Sequence, residues 1–301
     1  MKKVLIAVLV LMVCLAGYYT WSVADGYTSG GATVTDAVES IDIRWTSGSV
    51  TVEYHDADTV VLEEKADRPI EGDDRLRWKL DGKTLVVEYN TPGFFDFLSF
   101  TKPSKALTVT LPKGIALKKA DIIATSADVI VPELAAEEIT LGSTSGDVKA
   151  EVTAPVVYGE STSGDVTLKV NGKAENVKAG STSGRLDLTL EAAEKADLGT
   201  TSGGITLEAG TVREAKLGST SGDIRVRVKA FDTMKIGTTS GSVDAELAAE
   251  PGFTAEISTT SGDFSSDLAL SKAGNTWSCG DGSAKLEIGT TSGNVKLAEL
   301  K

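Results

Sequence analysis

The chain has little cysteine, histidine, proline or aromatic character, and each shortage removes a class of protein. Among 301 residues there are two cysteines and one histidine. Cys14 lies inside an N-terminal apolar run, away from Cys279, so no disulfide framework exists. A lone His55 excludes a histidine-rich metal site. Lys and Arg number 30 against 43 Asp and Glu, a formal net charge of -13. A phosphate-binding surface needs clustered basic residues, so nucleic acid is not the partner. With 7 prolines, 3 methionines and 6% aromatics, the remainder is Gly, Val, Ile, Thr and Ser in short alternating runs. That composition suits strands and tight corners rather than helices.

The N-terminus carries the one long apolar run. Lys2 and Lys3 precede Val4 to Gly17, followed by Tyr18, Tyr19 and Trp21. This is the plan of a secretory signal, with Ser22-Val23-Ala24 as a cleavage site. The same stretch, from Val4 to Trp21, reaches the lower limit of length for a membrane span and ends in interfacial aromatics. Residues 1–24 are therefore a signal peptide or an N-terminal membrane anchor. In either case the body leaves the cytoplasm, to be anchored on the cell membrane facing outside or secreted to the surface. Bulky Val13 before Cys14 argues against a lipoprotein.

Self-alignment of the chain is the dominant signal. Thr-Ser-Gly recurs at Thr144, Thr162, Thr182, Thr201, Thr220, Thr239, Thr260 and Thr291, with Gly-to-Gly spacings of 18, 20, 19, 19, 19, 21 and 31. After each corner apolar and polar residues alternate, as in Gly164-Asp165-Val166-Thr167-Leu168-Lys169-Val170, a strand with one buried face. Asn171-Gly172 turns the chain, and a second strand runs from Asn176 into the next corner. Extending the alternation puts Val177, Ala179, Ser181 and Ser183 inside, with Lys178 and Thr182 outside. Neither strand buries its apolar face alone, so the repeats stack. The expected fold is all-β: a parallel β-solenoid with two short strands per rung of about nineteen residues. Eight corners at ~4.8 Å per rung give a rod of roughly 35 to 40 Å. The long gap from Gly262 to Gly293 reads as a looped-out insertion or an extra half-turn.

Towards the N-terminus the pattern thins. Thr125-Ser126-Ala127 and Thr46-Ser47-Gly48 are further corners, and Asp81-Gly82 between two alternating runs signals a hairpin. Residues 27–120 are expected to form an irregular β cap and 121–301 the regular array. Gly93 to Phe100, between Pro92 and Pro103, holds four of the seven Phe; it is read as a flap over the open end rather than a membrane-dipping loop.

The run Leu107-Thr108-Val109-Thr110-Leu111-Pro112-Lys113-Gly114, followed by serial Thr-Ser-Gly-Asp-Val units, resembles an adhesin-like family of bacterial envelope proteins once classed as a domain of unknown function. The resemblance runs from about residue 40 to the end. It implies a β-helix-like fold and a membrane-proximal or surface location, with some relatives encoded beside envelope-stress sensors. It carries over no catalytic residue.

Each chemically suggestive feature also has an architectural reading. The Thr column is the candidate ligand surface, as a ladder for a glycan or wall polymer, although β-branched residues also stack well for packing alone. The corner Ser residues, Ser145 to Ser292, are expected to point inward and bond the turning backbone. Asp147, Asp165, Asp223 and Asp263 follow the corner Gly, but Arg185, Gly204, Ser242 and Asn294 break that column, so a solvated turn is expected rather than a Ca²⁺ site. Cys279 reads as a small packed side chain. No catalytic residue, metal or cofactor is expected. The resulting reading is a non-enzymatic, adhesin-like interaction module, with an envelope glycan or a membrane protein as partner. A regulatory partner in envelope-stress signalling and a β-helix polysaccharide lyase or hydrolase are the alternatives.

Overall fold

A computed structural model describes residues 27–70, 75–89, 103–250 and 252–300. The N-terminal segment 1–24, with Cys14, and the Phe94 to Phe100 flap lie outside the described residues. Among the described residues there is no helix; all regular structure is strand, joined in one 21-stranded sheet.

The centre is a stack of parallel rungs. Val166–Ser181, Leu186–Thr200, Ile205–Gly218 and Ile224–Gly237 pair one upon the next, Val166 on Leu186, Leu186 on Ile205, Ile205 on Ile224, with the last three in constant register. Each rung is one strand bent at a second corner, giving a front segment that leaves Thr-Ser-Gly and a return segment that approaches the next. In Val166–Ser181 the bend is a register break between Val170 and Lys173, with Gly172 at φ 70°. Val166, Leu168, Val170, Ala174, Val177 and Ala179 are buried, and their equivalents in the other rungs join a single apolar core. This is the expected solenoid of about nineteen residues per turn.

At both ends the spatial order departs from chain order. At the N-terminal end, Ser40–His55 lies parallel between the later strand Leu117–Ser143 on one side and Thr84–Glu88 with Lys105–Pro112 on the other. Ladder geometry thus reaches Ser40, and Gly48 sits beside Ala127. Arg77–Asp81 then closes Thr84–Glu88 through the expected Asp81-Gly82 hairpin, and Val60–Ala66 closes Lys105–Pro112; both are antiparallel. Under this cap Lys105 is fully buried, its ammonium 2.7 Å from the Glu64 carboxylate and 3.7 Å from the centre of the Tyr89 ring.

At the C-terminal end the gap between Gly262 and Gly293 is neither a looped-out insertion nor a half-turn. The final rung, Ala284–Thr290 and Val295–Glu299, is inserted between residues 224–247 and the earlier rung at 253–266. The chain first lays down 253–266 one rung too far out, turns through the hairpin Ser271–Ala273/Thr276–Gly280, and returns to fill the space. The longer spacing between Gly241 and Gly262, 21 where 19 is the norm, supplies the extra reach. Gly252 at the crossing has φ 117°, and a Cβ there would lie 2.3 Å from the Cys279 carbonyl oxygen, so only glycine fits. Thr276–Gly280 covers the outer edge of residues 252–256 antiparallel, protecting part of an otherwise open edge.

Candidate functional site

The Thr-Ser-Gly edge is built by close backbone approach. A Cβ on Gly184, Gly203 or Gly222 would lie 1.8 Å from the carbonyl oxygen of the corner glycine one rung earlier. None of these three has positive φ, so contact with the neighbouring rung, not turn conformation, excludes a side chain. The hydroxyl that serves this corner belongs to a different residue from the one expected. Ser145, Ser163, Ser183, Ser202, Ser221, Ser240, Ser261 and Ser292 are all exposed. The buried hydroxyl comes two positions earlier, at Ser143, Ser161, Ser181, Thr200, Thr238 and Thr290. Ser161 Oγ donates to the Gly146 carbonyl at 3.0 Å and accepts the Gly164 amide at 2.9 Å, tying its own corner to the previous one. The strict alternation breaks because the chain is already turning at Thr162, which is half-buried, so the following serine faces water. The functional repeat is therefore Ser/Thr-Thr-Ser-Gly.

All eight candidate threonines stand in one column. Each corner serine amide donates to the threonine carbonyl one rung away, Ser163 to Thr144 at 3.0 Å, Ser202 to Thr182 at 2.9 Å, Ser292 to Thr239 at 2.9 Å, Ser261 to Thr291 at 2.8 Å. The order along the rod is Thr144, Thr162, Thr182, Thr201, Thr220, Thr239, Thr291, Thr260, the last two exchanged by the inserted rung. Thr125 continues the line, since Ser145 N–H donates to its carbonyl at 2.8 Å. Thr201, Thr239, Thr260 and Thr291 are exposed, the other four half-exposed. Beside them runs the exposed serine column, which alternation had placed inside. Together they form a ridge with two hydroxyls per rung, spaced ~4.8 Å along the rod.

The ridge separates two unlike faces. On the front face, charges of opposite sign meet across rungs: Lys169 with Glu151 at 2.8 Å, and Arg227 with Glu246 at 2.9 Å. On the return face, Gly180, Gly199, Gly218, Gly237 and Gly289 align two positions before the threonines. A Cβ at Gly218 or Gly237 would meet nothing within 4 Å, so neither sterics nor positive φ calls for glycine. The result is a channel of five glycines between the threonines and the column Lys178, Asp197, Lys216, Lys235 and Glu287, closed at its two ends by the side chains of Glu160 and Ser258. The sequence reading singles out the corner glycines and passes over this second set, legible as the Gly of Leu-Gly or Ile-Gly before several corners.

The Asp residues after the corner glycine do more than cap a solvated turn. Asp147 Oδ1 accepts the Asp165 amide at 2.8 Å, Asp165 Oδ1 the Arg185 amide at 2.7 Å and Asp223 Oδ1 the Ser242 amide at 2.9 Å, while Asn294 Oδ1 accepts the Asp263 amide at 2.9 Å, so the side chain at this position satisfies a backbone N–H of the adjacent rung. Among the described residues no group of His, Cys, Asp and Glu could hold a metal. Cys279 is buried, and burial raises its thiol pKa, as for a packed rather than a reactive cysteine.

A rod of parallel rungs with one uniform hydroxyl edge and antiparallel closures defines a β-solenoid. Its family follows from the sequence: the family model described as Toastrack DUF4097 matches residues 38–298, and the chain belongs to that family. Two solved structures share the fold at low identity. A "putative adhesin" from Parabacteroides distasonis ATCC 8503 is 13% identical with a TM-score of 0.52, the match covering 91% of this chain and 98% of that one. A "putative lipid binding protein" from the same organism is 15% identical with a TM-score of 0.51, covering 90% and 96%. No curated protein matches the chain.

Proposed function

We propose that this protein is a non-enzymatic binding module, exported to the cell envelope, that holds an elongated glycan along its threonine–serine ridge. The observation that carries this reading is the ridge itself. Its hydroxyls repeat rung after rung beside a run of five glycines, Gly180 to Gly289, whereas catalysis would single out one place. A periodic ladder suits a polymer whose sugar hydroxyls recur along its length, and its polar, uncharged chemistry suits neutral hydroxyl-rich ligands. The name of one similar structure, the "putative adhesin" from Parabacteroides distasonis, supports a binding role. Thr28–Ser29 pairs with Arg77 and Trp78 at the N-terminal end, so a membrane tether preceding it would leave the C-terminal end outermost.

The test is a glycan array with the whole chain, followed by titration of any hit against two variants. Thr182→Val, Thr201→Val, Thr220→Val and Thr239→Val together remove hydroxyls at nearly constant shape. At about 1 kcal/mol per lost hydrogen bond, binding should weaken tenfold or more with little change in melting temperature. Gly218→Lys should obstruct the channel and do the same. Unchanged affinity in both variants rejects the ridge as the site. Release of unsaturated or reducing ends from the bound polymer rejects the non-enzymatic reading.

A further inference from the structure

The last rung, residues 284–299, occupies a slot lined by residues 224–247 on one side and 253–266 on the other. The fit is the standard rung fit on both sides. Thr290 Oγ1 donates to the Gly241 carbonyl at 2.9 Å, and Thr259 Oγ1 donates to the Gly293 carbonyl at 3.0 Å. Register is constant along both contacts: Met234 and Val243 face Leu286 and Val295 on the inner side, and Ala255 and Phe264 face the same two residues on the outer side. Every contact that seats the rung is thus made by the rung itself. The linkage to its own chain runs through Gly280 to Ser283, where Gly280 and Gly282 have φ of 57° and 71°. This hinge is held by a few bonds, among them Gly282 N–H to the Cys279 carbonyl at 3.2 Å.

We propose that this slot is a receptor for the C-terminal rung, filled in the monomer by the chain's own segment and in an exchanged dimer by that of a second copy. The seated contacts are identical in the two forms, so hinge geometry and protein concentration decide between them. A second copy is the occupant because its own residues 284–299 already carry the side-chain pattern that the slot selects.

The experiment uses the full chain with Cys14→Ser and Cys279→Ala. Lys235 and Glu287 are exposed partners across this contact, their charged groups 2.7 Å apart, and neighbouring strands lie within disulfide reach. The double variant Lys235→Cys, Glu287→Cys should close its disulfide within one chain when refolded dilute. Separate copies carrying Lys235→Cys alone and Glu287→Cys alone should give a mixed disulfide dimer when refolded together. Its share should rise with concentration, and deleting Asp281 and Gly282 should raise it severalfold at fixed concentration. No mixed dimer at any concentration, while the double variant closes within one chain, overturns the proposal. Failure of the double variant to close overturns it too, by refuting the slot. Neither result bears on glycan binding.

Discussion

The two edges of the rod are made by the same repeat, yet only one is written identically every time. At the Thr-Ser-Gly edge, backbone lies on backbone, and each position answers to a distance: glycine under the neighbouring carbonyl, a buried hydroxyl between two rungs, a carboxylate on an amide. At the opposite edge the turns vary, from residues 153–155 to 171–173 to 210–211. Backbone pairing still joins the rungs there, Lys173 beside Ala192 and Ala192 beside Thr211, but the exposed side chains meet as ion pairs, Lys173 with Glu194 at 2.7 Å and Arg213 with Asp232 at 2.9 Å. A corner that sets glycine under the neighbouring carbonyl in rung after rung admits one solution, while a turn of variable length whose side chains face water admits many. Constancy of sequence therefore marks the edge that builds the rod.

Substitutions on the two edges should differ accordingly, and stability measured by urea titration ranks them. Gly203→Ala should do most harm, because its Cβ would need to displace the Gly184 backbone; a loss on the order of 4 kcal/mol or failure to fold is expected. Wild-type stability would end the contact account of the corner. The matched control is Gly218→Ala, an outward glycine with open space, which should gain about 0.5 kcal/mol. Ser161→Ala strands the Gly146 carbonyl and the Gly164 amide in a buried corner and should cost about 2 kcal/mol. Its exposed neighbour in the next corner, Ser183→Ala, should cost almost nothing. On the opposite edge, Arg213→Ala removes exposed ion pairs and should shift the urea midpoint only slightly, an effect that shrinks in high salt.

The smallest effect expected is a pH response at Glu39, also on the opposite edge. Hydrogen bonds from Lys118 and Lys83 hold its carboxyl down at about 2, against an ordinary 4.5. A depressed carboxylate stabilises the fold above its unfolded pKa, and that contribution disappears as pH falls from about 4.5 to about 2. Glu39→Gln should flatten this part of the acid titration. An unchanged slope would mean the pairs are immaterial in solution.

Much of this architecture was legible in the chain because solenoid physics is local. Regular spacing, alternation and a glycine corner suffice to give rungs, core residues and a threonine column. Two things were hidden for identifiable reasons. Alternation assigns sides only while the strand is straight, so it failed at the corner, turning Ser183 inward on paper and outward in the molecule. Chain order is also a poor guide to spatial order where a rung is skipped. The lengthened spacing before Gly262 was visible as a number, but only the contact of Gly293 with Gly241 gives it meaning. The threonine column itself was readable in full, whereas the glycine channel beside it was obscured by the more regular corner glycines.

The skipped rungs at both ends also set an order in time. Within the array, each strand pairs with the one a single repeat away, so the middle can zip from any point at low loop-closure cost. At the ends, Gly48 waits for Ala127, several repeat lengths further along the chain, and the slot after Leu247 stays empty until Val295 arrives. A polypeptide emerging N-terminus first can therefore pair Ser40–His55 with Leu117–Ser143 before the array has emerged, whereas residues 253–266 must wait for the rung at 284–299 that seats them. Without residues 284–299, the facing edges of 224–247 and 253–266 would lack their strand partners, so these sixteen residues hold two otherwise separate rungs together.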